Sequence, residues 1–281
     1  MFRIRSKKVL GPELKLFVVE APEIAAKAQP GQFIILRECE CAERIPLTIA
    51  DFDRQEGTIT IIFQEVGRST RDLGLLEAGD SILDFVGPLG QKSEIENFGK
   101  VICVGGGVGV APVYPITRAL YEAGNHVVSI IGARNKDLLI LEEEMRQVSH
   151  QLVVMTDDGS HGEKGFVTDS LRKLLSEDTY ARVIAIGPLV MMKAVSEVTR
   201  EFGVKTIVSL NPIMVDGTGM CGACRVAVGG ETKFACVDGP EFDGHEVDWA
   251  LAQQRAKMFL TQEKIADHHH HAHGGGCRCQ K

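Results

Sequence analysis

Near residue 100 an unbroken apolar stretch, Val101 to Val104, runs straight into Gly105-Gly106-Gly107-Val108-Gly109. It continues through Val110-Ala111-Pro112 into helix-like sequence that lasts to Ala123, and a second apolar stretch follows at Val127 to Ile131. Strand, glycine turn, helix, strand is a βαβ unit, which commits this part of the chain to a parallel sheet with crossover helices. The glycines let the backbone approach a pyrophosphate at the helix N-terminus, and Pro112 suits the first helical turn. The loop departs from Gly-x-Gly-x-x-Gly, so on its own a glycine turn that serves only tight packing is the rival reading. The alternation goes on with a helix around Leu141 to Ser149, a strand at Leu152 to Met155, a helix from Thr168 to Leu175, a strand at Val183 to Ile186 and a helix from Val190 to Glu201. Gly132-Ala133-Arg134, Thr156-Asp157-Asp158-Gly159 and Gly187-Pro188-Leu189-Val190-Met191 each come just after a predicted strand, where doubly wound sheets bind their ligands. Asp157 and Asp158 either contact a nicotinamide or cap a turn.

Before residue 97 the text is different. Leu14 to Val19, Gln32 to Arg37, Pro46 to Phe52, Thr58 to Gln64 and Asp80 to Val86 alternate with period two and are broken by turn residues, the pattern of an antiparallel barrel or sandwich. Arg44-Ile45-Pro46-Leu47-Thr48 and Gly67-Arg68-Ser69-Thr70-Arg71 place hydroxyls beside arginines at strand ends, a chemistry that suits a phosphate or ribityl chain and equally an ordinary turn.

The third part begins after residue 207 and is marked by cysteine. Eight cysteines in 281 residues are too few and too unevenly spaced for a disulfide framework, so a metal or cluster site in a reducing compartment is the expectation. Asp216, Cys221, Cys224 and Cys236 read Asp-x4-Cys-x2-Cys-x11-Cys. Plant-type [2Fe–2S] proteins use Cys-x4-Cys-x2-Cys with a distant fourth cysteine, and a carboxylate in the first place still offers iron an oxygen donor. Gly217, Gly219 and Gly222 allow the tight loop that aims backbone amides at sulfur. Structural zinc is the alternative, with His245 as a fourth ligand. Of the other cysteines, Cys39 and Cys41 fall in an expected strand, Cys103 inside an apolar run, and Cys277 and Cys279 in the tail.

Composition narrows the classes. A hydrophobic share of 44% with 25% charged residues excludes fibrous and disordered chains, and a net charge of −7 disfavours nucleic acid, whose phosphates need clustered Lys and Arg. The longest apolar run, Val101 to Ile116, holds four glycines and two prolines and is too short for a membrane span. The basic start has no apolar signal region after it, so a cytoplasmic protein is expected. A helix is expected from Asp248 to Ile265, followed by a His-, Gly- and Cys-rich tail that forms no core and is either a plain terminus or a metal chelator.

The order of these features resembles the ferredoxin reductase superfamily over residues 1 to about 262, and within it the iron–sulfur flavoprotein electron-transfer subunits. Pro46-Leu47-Thr48 is similar to that family's flavin-stacking strand, and Ile62-Phe63-Gln64 with Gly67, Ser69 and Thr70 to its flavin phosphate segment. Gly87-Pro88-Leu89-Gly90 resembles its barrel closure, and the triple-glycine loop with Ala111-Pro112 its nicotinamide loop. One departure stands in the likeness: Ile45 occupies the place of the usual arginine, with Arg44 one position earlier. The resemblance implies an α/β chain with a β-barrel in three parts: a flavin-binding antiparallel barrel over 1–97, a doubly wound NAD(H)-binding sheet over 98–207 and a small [2Fe–2S] domain over 208–266, with the tail at 267–281.

Two branches share this layout. Electron-transfer subunits of dihydroorotate dehydrogenase carry four cysteines at the cluster, whereas Asp216 in the first place looks more like the small subunits of NADH-dependent ferredoxin:NADP oxidoreductases, some of them named sulfide dehydrogenase. That branch implies FAD, a [2Fe–2S] cluster and NAD(H), flavin-based electron bifurcation, and a larger flavin and iron–sulfur partner that handles NADP(H) and ferredoxin. It implies no protein acid or base, because hydride passes from nicotinamide to flavin by proximity and orientation. Arg134 is a residue type that accepts a 2′-phosphate, whereas the branch points to NAD(H). A zinc-stabilised nucleotide-binding module is the non-catalytic alternative.

Overall fold

The computed structural model describes the backbone of residues 1–273 and the side chains of residues 1–266; the expected tail function at 267–281 lies outside the described side chains. Strands β1 (Phe2–Gly11), β2 (Leu14–Glu20), β3 (Phe33–Arg37), β4 (Ile45–Asp53), β5 (Thr58–Gln64), β6 (Ser81–Ile82) and β7 (Asp84–Leu89) form one antiparallel sheet in the order β6-β1-β2-β5-β4-β3-β7. The two edge strands, β6 and β7, are separated in sequence only by Leu83, whose N–H donates to the Glu38 carbonyl beyond the end of β3. The ends of the sheet therefore meet, which makes it a nearly closed barrel and decides against a sandwich. The alternating residues read from the sequence turn inward: Phe17, Ile34, Leu36, Ile49, Ile59, Ile61 and Phe63 are buried and pack as one cluster. Two short helices, α1 (Pro22–Ala25) and α2 (Arg68–Gly74), interrupt the strands. Cys39 and Cys41 lie in the turn after β3 rather than in a strand.

The second sheet is parallel over β8 (Lys100–Gly106), β9 (His126–Ala133), β10 (Gln151–Thr156), β11 (Glu163–Lys164), β12 (Arg182–Ile186) and β13 (Lys205–Ser209), crossed by helices α3 (Val110–Glu122), α4 (Glu142–Gln147), α5 (Val167–Glu177) and α6 (Leu189–Glu201). Its inner strands β8, β9 and β12 are apolar on both faces, as a sheet covered by helices requires, and the residues on the two sides belong to two separate core clusters. The order β11-β10-β9-β8-β12-β13 reverses between β8 and β12, so this pair is the topological switch point. Cys103 in β8 is fully buried, and that burial pushes its thiol up to about 12. It is a core residue with no thiolate chemistry near neutral pH.

The C-terminal part holds a hairpin, β14 (Arg225–Val228) and β15 (Glu231–Phe234), then β16 (Glu241–Asp243), α7 (Trp249–Ala256) and α8 (Leu260–His273). β16 joins the second sheet as an antiparallel edge beside β13. The linker leaving the barrel is stitched to the same segment: the Gln91 N–H donates to the Gly239 carbonyl at 2.6 Å, Gln91 Nε2 to the Val237 carbonyl at 2.7 Å, and Ser93 Oγ to Glu241 Oε1 at 2.6 Å. Residues 237–241 thus bind barrel and parallel sheet together.

Candidate functional site

Between barrel and parallel sheet lies a cleft of about 860 Å³, near the top of the roughly 300–1,000 Å³ range of ligand pockets. Its barrel wall is Pro46, Leu47 and Thr48 of β4, Ile62, Phe63 and Gln64 of β5, and Thr70 of α2. β4 and β5 are antiparallel neighbours through Ile49↔Ile61, which brings the end of β5 beside the start of β4 at the cleft; Phe63 borders it from within the barrel core. Gly67 and Ser69 do not line the cleft. Gly67 donates its N–H to Thr70 Oγ1 at 3.2 Å and accepts that hydroxyl at 3.0 Å, and Ser69 Oγ is spent on Glu43 at 2.8 Å. Arg44 is exposed and also outside the lining.

The opposite wall is the switch point itself. Gly106, Gly107, Gly109 and Pro112 leave β8 for α3, and Gly187, Pro188 and Met191 leave β12 for α6. A Cβ on Gly109 would stand 2.3 Å from the Ile186 carbonyl oxygen, so this glycine is required for the close approach of the two strand ends. Gly107 is the opposite case: its φ is +56° and no atom lies within 4 Å of where a Cβ would be. Its backbone is bare toward open space, at the first residue of a 3-10 turn (Gly107–Gly109) that runs into α3 and whose own first N–H groups have no acceptor within the helix. That is a fit for a pyrophosphate. Gly105 and Ala111 are buried beneath this surface and shape it without lining it.

Arg134 and Asp157 are the charged side chains among the described lining residues. The sequence left Asp157 and Asp158 as a pair, and the structure divides them. Asp157 faces the cleft, while Asp158 accepts both the N–H and the hydroxyl of Ser160, at 2.9 and 2.6 Å, which holds its carboxyl below the usual range. Gly159 follows in the same turn with φ +78°. Histidine, lysine, glutamate and cysteine are missing from the described lining. It also reaches Ser209, Leu210, Asn211, Met214 and Pro240, which the motifs did not flag; the one signal was that Asn211 lies just past the end of a strand.

Two residues beyond Met214 the cysteine loop begins. Gly217 packs against the barrel, where a Cβ would meet Leu89 and Ile35 at 2.7 and 2.8 Å, and its φ of +79° also suits only glycine. Cys224 and Cys236 are buried with their sulfurs 3.2 Å apart. Desolvation, then the neighbouring Cys224, pushes the Cys236 thiol up to about 12, against a Gly219 N–H that favours the thiolate. Asp216 accepts the Thr218 N–H on one carboxylate oxygen and the Cys221 N–H on the other, both at 3.0 Å, and these amides hold its carboxyl below the usual range. Cys221 itself is exposed. The structure therefore brings two of the four expected ligands into contact and ties the other two to one loop; among the described residues no three candidate donors converge on a point. The donor chemistry fits an iron–sulfur cluster: two sulfurs sheltered from water, a third at the surface, and loop amides aimed at sulfur and carboxylate. His245, the candidate zinc ligand, is occupied instead by Thr199 Oγ1 of α6 at 2.9 Å.

The sequence profile of the iron–sulfur cluster binding domain of dihydroorotate dehydrogenase B matches residues 211–248, and that of the oxidoreductase NAD-binding domain matches residues 103–197. A dihydroorotate dehydrogenase B (NAD(+)) electron transfer subunit homolog from Thermotoga maritima is 54% identical over 250 residues, covering 89% of this chain and 88% of its own. The chain belongs to the family of dihydroorotate dehydrogenase B electron-transfer subunits and their homologues. Within that family's range it is also similar, at 49% identity and TM-score 0.91 over 95% of this chain and 96% of the other, to a chain of the NADH-dependent reduced ferredoxin-NADP oxidoreductase structure, a study of flavin-based electron bifurcation. The ferredoxin reductase in carbazole 1,9a-dioxygenase shares the fold at TM-score 0.62 and 19% identity, over 72% of this chain and 65% of that one. The ferredoxin reductase-like architecture read from the sequence is thus the one found, and among the described residues no helix is long and apolar enough to cross a membrane.

Proposed function

We propose that this family member is the cytoplasmic electron-transfer subunit of a flavin-based electron-bifurcating oxidoreductase, working between NAD(H), FAD and a [2Fe–2S] cluster and a larger subunit that handles NADP(H) and ferredoxin. The observation that carries this reading is one continuous cleft, which runs from the flavin-type strand of the barrel across the switch point to Met214, two residues from Asp216. When bound, FAD takes a hydride and gives up its electrons singly, and a [2Fe–2S] cluster carries one electron at a time.

The chain's own residues divide the labour. Pro46, Leu47 and Thr48 would hold the flavin ring edge, and Ile62, Phe63, Gln64 and Thr70 its chain, with Gly67 and Ser69 shaping the turn behind Thr70. Gly105, Gly106, Gly107, Gly109, Ala111 and Pro112 would give the nucleotide its pyrophosphate seat. Arg134, Asp157 and Gly159 would border its outer end, with Asp158 fixing their turn, and Gly187, Pro188 and Met191 would floor the nicotinamide side. Asp216, Cys221, Cys224 and Cys236 would hold the cluster. The divisions at 97, 207 and 266 then mark off barrel, nucleotide sheet and cluster segment, the last of which also lends Ser209, Leu210, Asn211, Met214 and Pro240 to the cleft. Water exclusion by the apolar cleft walls and fixed orientation are what these residues supply to hydride transfer.

A dihydroorotate dehydrogenase partner is the second reading, favoured by the match of residues 211–248. Asp216 in place of a cysteine favours the first. The complex with the larger subunit, purified without oxygen, distinguishes them: NADP reduction that needs both NADH and reduced ferredoxin supports bifurcation, and NAD reduction driven by dihydroorotate overturns it.

A further inference from the structure

Helix α7 reaches back to the cysteine loop. Arg255, in its last turn, donates from Nη2 to the carbonyl oxygen of Ala223 at 3.0 Å, across 32 residues of sequence. Ala223 lies between Gly222 and Cys224, inside the Cys-x2-Cys stretch. The Nε of Arg255 is buried and has no hydrogen-bond partner. Among the described residues Arg255 has no carboxylate partner either. A buried donor left unpaired is costly, so an uncompensated guanidinium in this place needs a reason. A second arginine serves as an internal control: Arg225 Nη1 donates to the Gly222 carbonyl at 2.9 Å, but from an exposed position. The profile of the cluster-binding segment ends at residue 248, so Arg255 comes from outside it.

We propose that Arg255 is a positioning residue for the cluster's charge: its guanidinium, fixed on the loop between two ligating cysteines, raises the cluster's reduction potential and so favours arrival of the electron. The step is one electron in with no proton exchanged, so the cluster gains one negative charge, which a fixed positive charge in a partly desolvated place stabilises. The hydrogen bond adds to this, because it polarises the Ala223–Cys224 peptide, whose other end is the Cys224 N–H beside the sulfur. The inference rests on the cluster assignment made above.

The test uses the full chain purified without oxygen, with iron per chain measured first and the cluster then titrated by electron paramagnetic resonance. In Arg255→Gln the iron content stays at the wild-type level and the reduced-to-oxidised ratio at a fixed ambient potential falls about tenfold, which for one electron is about 59 mV. Arg255→Lys keeps the charge and recovers most of the ratio. Arg225→Gln changes it less than about threefold, because solvent screens an exposed charge. Full iron with a ratio within about twofold of wild type in Arg255→Gln overturns the proposal. So does loss of iron in that variant, which makes Arg255 a structural clasp. Wild-type chain without iron sinks the cluster assignment itself, a result distinct from either.

Discussion

The cleft and the cysteine loop are neighbours built by opposite means. The cleft's glycines stand at the ends of strands that are paired on both sides: Gly105 of β8 is registered against Ile131 of β9 and Ile186 of β12, and Gly106 against Gly132. The sheet places them, and with them Gly107 at the strand's end, whose side-chain-free surface faces open space. Residues 210–224 have no helix or strand at all. There the chain is placed by glycines at φ between +66° and +84°, by Asp216 holding two amides, and by arginines holding two carbonyls. The cleft is thus fixed by strand pairing, whereas the loop is fixed by turn geometry, a few side-chain tethers and, when loaded, the metal.

The strongest way to break this contrast is Cys224→Ala, which should abolish iron binding while flavin stays bound; loss of both from the purified protein would mean the two regions are not independent. Next comes Gly109→Ala. Its methyl would meet backbone at 2.3 Å on Ile186 and 2.7 Å on Gly187, which cannot rotate away, so a loss of about 3 kcal/mol in urea unfolding is expected. Gly106→Ala, whose methyl meets side chains rather than backbone, the Met191 sulfur at 2.3 Å and the Met191 methyl and Pro188 Cδ at 3.3 Å, should cost less. Asp216→Cys should keep iron but shift the cluster potential, and an unchanged redox titration would remove Asp216 from the ligand set. Arg134→Ala should raise the KM for NADH about threefold to tenfold with kcat unmoved, as expected for a group that binds without joining the chemistry.

The smallest effect is a pH dependence within the barrel. Burial, then Asp72, pushes the Glu38 carboxyl from its ordinary 4.5 up to about 7, with Arg68 opposing. The folded state then binds the proton more tightly than the unfolded chain, so stability falls as pH rises from about 4.5 to about 7 and levels off above. Glu38→Gln should flatten that slope, by about 1 kcal/mol or less once solvent screening is allowed for, as read from unfolding at pH 5 and pH 8.

Much of the fold was legible because burial imposes period. The barrel's inward residues fall two apart, as Ile34 and Leu36 in β3 and Ile59, Ile61 and Phe63 in β5 show, although β3 is apolar on both faces, and the switch to apolar strands and helices at Lys100 marked where the sheets change. β1 escaped notice because it bulges between Ile4 and Ser6 and carries Arg3, Arg5, Lys7 and Lys8, so no clean alternation survives. The edge role of β16 was invisible for another reason: three residues have no period, and only the neighbouring β13 makes them a strand. In the site, glycine loops were readable because their conformational demand is local. What escaped depended on distant partners. Ser69 looked like a phosphate ligand until Glu43 claimed it, Asp158 looked equal to Asp157 until Ser160 did, and Arg255 is 32 residues from the loop it holds.

Flavin, nicotinamide and iron–sulfur chemistry meet in this chain. An ultraviolet–visible spectrum with iron, zinc and flavin assays on anaerobically purified protein, followed by NADH, tests it most directly. About two irons and one FAD per chain with bleaching on NADH is the predicted result; zinc without flavin would contradict it.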